Sequence, residues 1–183
     1  MSDKINIEKL VKKAQGGDTD AFALVYDEYF EHVYRYIYYR VEKSEVEDIA
    51  AQVFMRAWDN LGRFKFQGVS FGAWLFKIAH NLIVDKYRTH RSIAEIPVDL
   101  ADERESSDPR YITRGKMDQL VLKKALNELT DTYRQVVILK FINGFSNQEI
   151  AEILKRREGN VRILQFRALR ELKGVLQKMG YEW

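Results

Sequence analysis

Five side chains near the end of the sequence, Arg162, Ile163, Phe166, Arg167 and Arg170, fall at offsets of zero, one, four, five and eight, which places them on one side of a helix. Three guanidinium groups among two apolar side chains suit a reader of the DNA major groove. Arginine bonds guanine edges or phosphates, and an apolar group meets a thymine methyl. The same mixture also suits a helix that docks on an acidic protein. From Lys155 to Lys173 there are 7 basic residues against 2 acidic ones.

A second set lies earlier in the chain. Lys77, Asn81 and Arg88 share a helical face, with His80 beside Asn81 and Trp74 one turn before. Just upstream, Arg63 to Val69 form a basic loop that carries Phe64 and Phe66. Aromatic rings stack unpaired bases while cations hold the strand's backbone, so this set has the chemistry of a single-strand site. Trp74 and the two phenylalanines read equally well as core residues. A third set, Asp48, Gln52 and Arg56, recurs every four residues; its spacing permits a docking surface and is equally that of an ordinary solvated stripe.

Nothing comparable points to catalysis. The three histidines are scattered, there is no cysteine, and no metal-binding pair, phosphate-cradling glycine loop or nucleophile elbow is present, so neither an enzymatic role nor a cofactor is expected. Asp27-Glu28 and Glu47-Asp48 are neighbours in sequence, which on a helix point in different directions.

The elements that must carry these sets all read as helices. In the front half they span about Ile5–Gln15, Asp20–Val41, Ser44–Asn60 and Ser70–Thr89, with apolar stripes such as Phe71, Leu75, Ile78 and Leu82 at helical spacing. Eight aromatic residues crowd Phe22 to Tyr39, more than one buried stripe needs. Ser44 to Glu47 and Ser146 to Glu149 both have the pattern of a capping box. In the rear half the helices span about Arg114–Glu128, Thr130–Ile142, Ser146–Lys155 and Asn160–Met179. The last two, joined by a short break containing Gly159, read as a helix-turn-helix. No strand-type alternation appears, so the expected fold is all-α.

Charge divides the 183 residues in the same way. Residues 1–91 hold 14 basic and 13 acidic side chains, residues 92–113 hold 2 and 6, and residues 114–183 hold 14 and 8, for net charges of +1, −4 and +6. The acidic stretch also contains both prolines, Pro97 and Pro109. It reads as a flexible linker between two helical modules. With 46% hydrophobic residues the chain can bury a core, and no apolar run approaches a membrane span of about 20 residues. The first residues are polar, so a soluble cytoplasmic protein is expected.

Three blocks in this order resemble the extracytoplasmic-function (ECF) group of bacterial RNA polymerase sigma factors. EDIAAQVFMRAWDNL is similar to the family's region-two helix that docks on the polymerase clamp. FGAWLFKIAHNLIVDKYRTHR is similar to its promoter-melting helix, and LNELTDTYRQVVILKFINGFSNQEIAEIL with GNVRILQFRALREL to region four. The resemblance implies a promoter-specificity subunit that binds core polymerase and promoter DNA, with an anti-sigma factor as a further partner. It implies a region-two domain over 1–91, a linker over 92–113 and a region-four domain over 114–183.

The resemblance also implies residue roles. Asp48, Gln52 and Arg56 would meet the clamp. Trp74, Lys77, His80, Asn81, Arg88, Phe64 and Phe66 would serve the −10 element, with the Phe64–Ser70 loop capturing a flipped base. Arg162, Ile163, Phe166, Arg167 and Arg170 would serve the −35 element. The chain departs from the family pattern at Ala51 and Gln52, at Asn160, Ile163 and Leu164, and in a capture loop one residue longer than the common form. The acidic linker is expected to thread a basic channel of the polymerase. A stand-alone helix-turn-helix regulator with a sensor module is the competing expectation.

Overall fold

The apolar spacing of each segment becomes a helix, and the helices pair where their stripes can be covered. The computed structural model describes residues 6–93 and 114–181, with side chains from 6 to 89 and from 119 to 181. All regular structure among the described residues is helical. The helices are α1 (Ile7–Gln15), α2 (Thr19–Tyr38), α3 (Val46–Asn60), α4 (Phe71–Ile93), α5 (Arg114–Asn127), α6 (Asp131–Val137), α7 (Asn147–Leu154) and α8 (Glu158–Lys178). Of the expected linker only its first two residues are described, as the end of α4; the rest of it lies outside the described residues.

In the front module α2, α3 and α4 pack on one another, and α1 closes the bundle against α2. Val25, Val33 and Ile37 of α2 meet Ile49, Val53 and Ala57 of α3 and Leu75, Ala79 and Ile83 of α4, all buried. Each large apolar side chain so buried is worth about 1.5–3 kcal/mol. The aromatic excess of α2 is divided among neighbours. Tyr36 packs on Phe76, Tyr26 on Phe54, Tyr29 on Phe71, and Phe22 on the edge of Trp58.

In the rear module α8 is the spine. Its Val161, Ala168 and Leu172 are buried, and α5, α6 and α7 pack around it. Arg134 of α6 folds back to donate to the carbonyls of Leu126 and Asn127 at 2.9 and 3.0 Å. It thereby satisfies acceptors that the end of α5 would leave unpaired.

Four local features differ from the sequence expectation. Ser44 forms no capping box: Lys43–Glu45 make a 3-10 turn, and α3 starts at Val46 without a side-chain cap. The α2 helix stops at Tyr38, three residues early, because the chain turns there to bring Arg40 and Val41 into the core. After Val137 the chain widens into a π turn over Ile138–Ile142, which keeps Ile138 and Leu139 buried while turning Phe141 outward. Gly159 lies inside α8, and the tight turn before it is made by Lys155, in the left-handed region at φ 51°. The second capping box forms as expected: the Ser146 hydroxyl accepts from the Glu149 amide at 3.2 Å, and the Glu149 carboxylate accepts from the Ser146 amide at 2.9 Å.

The two modules touch. The α7 helix lies along α4, and Phe145 packs on the edge of Phe76 with ring centroids 4.6 Å apart. A Cβ on Gly72 would come within 3.2 Å of the Tyr29 ring and 3.5 Å of Phe145, so a larger residue there would require the Tyr29 ring to shift by a few tenths of an ångström. The Ser70 hydroxyl donates to Glu149 at 2.6 Å, and the Asn143 amide donates to the His32 carbonyl at 2.9 Å.

Candidate nucleic-acid interface

The C-terminal helix presents the exposed face that its spacing foretold. With Val161, Ala168 and Leu172 buried, Arg162, Ile163, Phe166, Arg167 and Arg170 all face solvent. Phe166 is 70% exposed and Ile163 52%, so two apolar side chains stand in water among three cations. Arg162 is tied to Glu158 one turn earlier at 2.7 Å. Such an exposed helical pair is worth only about 0.3–0.5 kcal/mol, so a phosphate or base edge can displace it. Gln165 donates to Asn147 at 2.7 Å and thereby fixes α8 against α7.

On the front module α3 offers a solvent stripe. Asp48, Gln52 and Arg56 are exposed while Ile49, Val53, Phe54 and Ala57 are buried beneath them. Met55, 66% exposed, adds an apolar group beside that stripe.

Between α3 and α4 lies a groove of about 340 Å³ lined by Arg56, Asn60, Arg63, Trp74, Ile78 and Asn81. Asn60 was missing from the sequence-derived set, and Arg63 entered it only as the start of the basic loop. Their signal was the spacing of four and seven from Arg56, which continues one helical face into the turn. Trp74 is half-buried, backed by Phe64 and Phe71 at centroid distances of 5.0 and 5.4 Å. Lys77 is half-buried, whereas Asn81 and Arg88 are exposed.

The remaining members of this set are placed elsewhere. Phe64 is only 6% exposed and is wedged among Phe66, Phe71 and Trp74. The Gln15 amide bonds the carbonyls of Leu61 and Phe64 at 2.9 and 2.8 Å, so α1 pins the start of the loop. Phe64 therefore supports Trp74 from behind, and Phe66, half-buried, sits edge-on against Phe64. His80 lies on the flank of α4 that meets the other module. Burial, with a further push from Arg40, lowers its pKa to about 4, and its Nδ1 is buried without a hydrogen-bond partner.

The flank of α4 beside His80 also has groups that sequence reasoning did not assign to any contact between modules: Arg40, Asp131, Phe145 and Glu149. Burial works against the Glu149 carboxylate, yet hydrogen bonds from Ser70 and Ser146 and the charge of Lys140 hold it below the ordinary carboxylate range. Tyr29, in the same seam, is pushed up to about 12 by burial and by Glu28 and Glu149. Apart from the capping box at Glu149, no local pattern marks these residues, because their partners are distant in sequence, as Ser70 and Glu149 are at 79 positions. Among the described residues there is no cluster able to hold a metal ion, and no helix long and apolar enough to cross a membrane.

Comparison with known proteins places these surfaces in a family. Residues 25–93 match the Sigma-70 region 2 family and residues 119–172 the Sigma-70, region 4 family. The ECF RNA polymerase sigma factor BldN of Streptomyces coelicolor is 37% identical over 178 residues, covering 96% of this chain and 67% of that protein. The ECF sigma factor SigW of Bacillus subtilis is 30% identical, covering 94% of this chain and 98% of that protein. The sigma factor RpoE of Bartonella quintana, solved with the anti-sigma factor NepR, shares the fold at a TM-score of 0.72 and 24% identity, over 85% of this chain and 96% of that one. Two helical modules, matched in order by regions 2 and 4 and aligned almost end to end with such relatives, make this chain a member of the ECF RNA polymerase sigma factors.

Proposed function

We propose that this sigma subunit divides its work by module: residues 1–91 grip core polymerase and the −10 element, residues 114–183 read the −35 element, and residues 92–113 link them. The observation that carries this reading is the pair of separate nucleic-acid faces on one chain. One is the Arg/Ile/Phe stripe of α8; the other is the groove where Trp74 and Asn81 stand beside cations. Asp48, Gln52 and Arg56, exposed on α3, form the stripe that meets the polymerase clamp. Trp74 supplies a stacking surface, worth about 1–3 kcal/mol per base, and Asn81 supplies an amide for a base edge. Lys77 and Arg88 hold the strand, and Arg162, Arg167 and Arg170 with Ile163 and Phe166 enter the major groove.

The chain does no chemistry itself; the polymerase supplies it, and the free energy of binding melted bases offsets unstacking. It works in the cytoplasm, and its acidic linker runs through a basic channel of the polymerase. The structural relative bound by an anti-sigma factor supports a similar inhibitor for this chain. Transcription in vitro with core polymerase and a promoter library tests the whole reading. Enrichment of paired −10 and −35 elements is the expected result. Tight promoter binding without polymerase, with no polymerase-dependent transcript, would instead mark a stand-alone regulator.

A further inference from the structure

The seam between the modules holds a second cleft, of about 240 Å³. Tyr29 of α2, Phe76 of α4 and Phe145 of the rear module line it, with Glu28 and Glu149 beside them. We propose that this cleft is a binding site for a small organic cation with a methylated ammonium head group, held by walls from both modules.

Three observations favour that occupant. The first is the aromatic wall. The Phe76 and Phe145 rings meet edge to face with centroids 4.6 Å apart. The Tyr29 and Phe145 rings both close on Gly72, where a Cβ would lie 3.2 Å from one and 3.5 Å from the other. Glycine leaves the floor between them open. Aromatic faces attract a cation through their negative quadrupole, and rings so gathered recognise methylated ammonium groups. The second is charge. The lining holds two carboxylates and no lysine or arginine; its other ionisable groups are Tyr29 and His32, the latter exposed. Lys140 offsets part of the Glu149 charge but is not in the lining. Burial, then Glu28 and Glu149, push Tyr29 up to about 12, so its ring stays a neutral phenol in a field that favours cations. Asn143, also in the lining, leaves its Oδ1 buried without a donor. The third is hydrogen bonding and size. Both Glu149 oxygens already accept, Oε1 from the Ser70 hydroxyl at 2.6 Å and Oε2 from the Ser146 amide at 2.9 Å. A primary ammonium has three N–H groups to satisfy, whereas a fully methylated one has none and needs only charge and ring faces. The volume lies below the roughly 300–1,000 Å³ of drug-sized pockets, which suits a head group and excludes a helix.

The test uses the full-length chain and titration calorimetry at constant ionic strength. Choline is the probe; its neutral analogue, with carbon in place of the quaternary nitrogen, is the control. Choline should bind saturably, and the analogue about tenfold more weakly, since only the charge on the rings is lost. Glu28→Gln and Phe145→Leu, one from each module, should each weaken choline binding about fivefold. Glu28 is exposed, so its variant keeps the fold, and circular dichroism verifies this for both. The site exists only while the modules touch, so bound choline favours the touching arrangement. Holoenzyme sets the modules on two promoter elements and so separates them, in the division of work proposed above, on which this consequence rests. Choline at about ten times its dissociation constant should therefore weaken assembly with core polymerase about tenfold.

Three results overturn the site: no saturable binding, equal affinity for the neutral analogue, or full affinity in both variants. Choline binding that leaves assembly unchanged overturns the link to module separation. A chain that forms no holoenzyme even without choline counts against the sigma role instead, and the calorimetry still decides the site.

Discussion

Arg40, wholly buried at the end of α2, places its Nη2 3.1 Å from the Oδ1 of Asp131, the first residue of α6. The guanidinium lies over the Tyr36 ring and donates to its hydroxyl at 2.9 Å, while its Nε has no hydrogen-bond partner. The Tyr87 hydroxyl donates to the Arg40 carbonyl. A cation from the front module is thus neutralised by a carboxylate from the rear one, while its Nε and Nη2 both lack a hydrogen-bond partner. Only the cation of this pair is buried, Asp131 being 59% exposed, and desolvation of the guanidinium offsets most of the attraction.

That balance bears on how the two modules work. Promoter elements some 25 base steps apart, at about 3.4 Å each, are separated by on the order of 80 Å. Modules that touch through Ser70–Glu149 and Phe76–Phe145 cannot span that distance. The chain has no cysteine, so cysteines introduced as Ser70→Cys and Glu149→Cys provide a unique pair for a short bifunctional thiol crosslinker. Crosslinked protein should lose at least tenfold in transcripts from a two-element promoter, while either single variant treated alike stays active. Full activity of the crosslinked form would show that the seam is compatible with initiation.

His80 makes the seam sensitive to acid. Its pKa in the fold is lowered to about 4, through burial first and then Arg40, against Asp131 acting the other way and Lys155 adding to Arg40. An unfolded histidine, at about 6.5, therefore binds more protons than the folded one between these values. The stability this provides is complete above about pH 6.5 and is lost as pH falls toward 4. Chemical denaturation at pH 7.0 and 5.0 should show a smaller drop for His80→Asn than for the unaltered chain. Equal drops would assign the acid sensitivity elsewhere.

Arg167 stands exposed on α8 next to Phe166. If it reads a base edge, Arg167→Ala costs about 1–3 kcal/mol on the preferred −35 sequence and less on others. Binding of holoenzyme to a panel of −35 variants measures this. A loss equal across the panel would make Arg167 a phosphate contact.

Phe64 is expected to act on stability first. It is buried against Phe66, Phe71 and Trp74, so Phe64→Ala should cost about 3–5 kcal/mol of unfolding free energy. Phe66→Ala, at a half-buried position, should cost less. Urea titration of both variants checks the order; a stability loss below about 1 kcal/mol for Phe64→Ala would mean the ring is free to face a base.

Local pattern carried much of this protein. The apolar stripes of α3, α4 and α8 follow from a helical period that needs no partner to be recognised. The exposed Arg/Ile/Phe face then follows as the complement of Val161, Ala168 and Leu172. The Ser146 capping box was equally legible, since its two members are three residues apart. Ser44 has the same pattern and forms no cap, because the chain there is drawn into a 3-10 turn by the burial of Val41 and Val46.

What pattern could not supply was the choice among equivalent roles. Phe64, Trp74 and His80 each read as a base contact or a core residue, and packing alone assigned Phe64 to the interior, Trp74 to a cleft wall and His80 to the seam between modules. Arg56 looked like one step of a solvated stripe until α4 came alongside to make a groove of it. Arg40 and Asp131 are 91 residues apart and carry no motif. Helix period, caps and charge are set by neighbours in the chain and can be read there. Burial and pairing are set by which distant surfaces meet, a sum over many weak contacts that the folded chain alone completes.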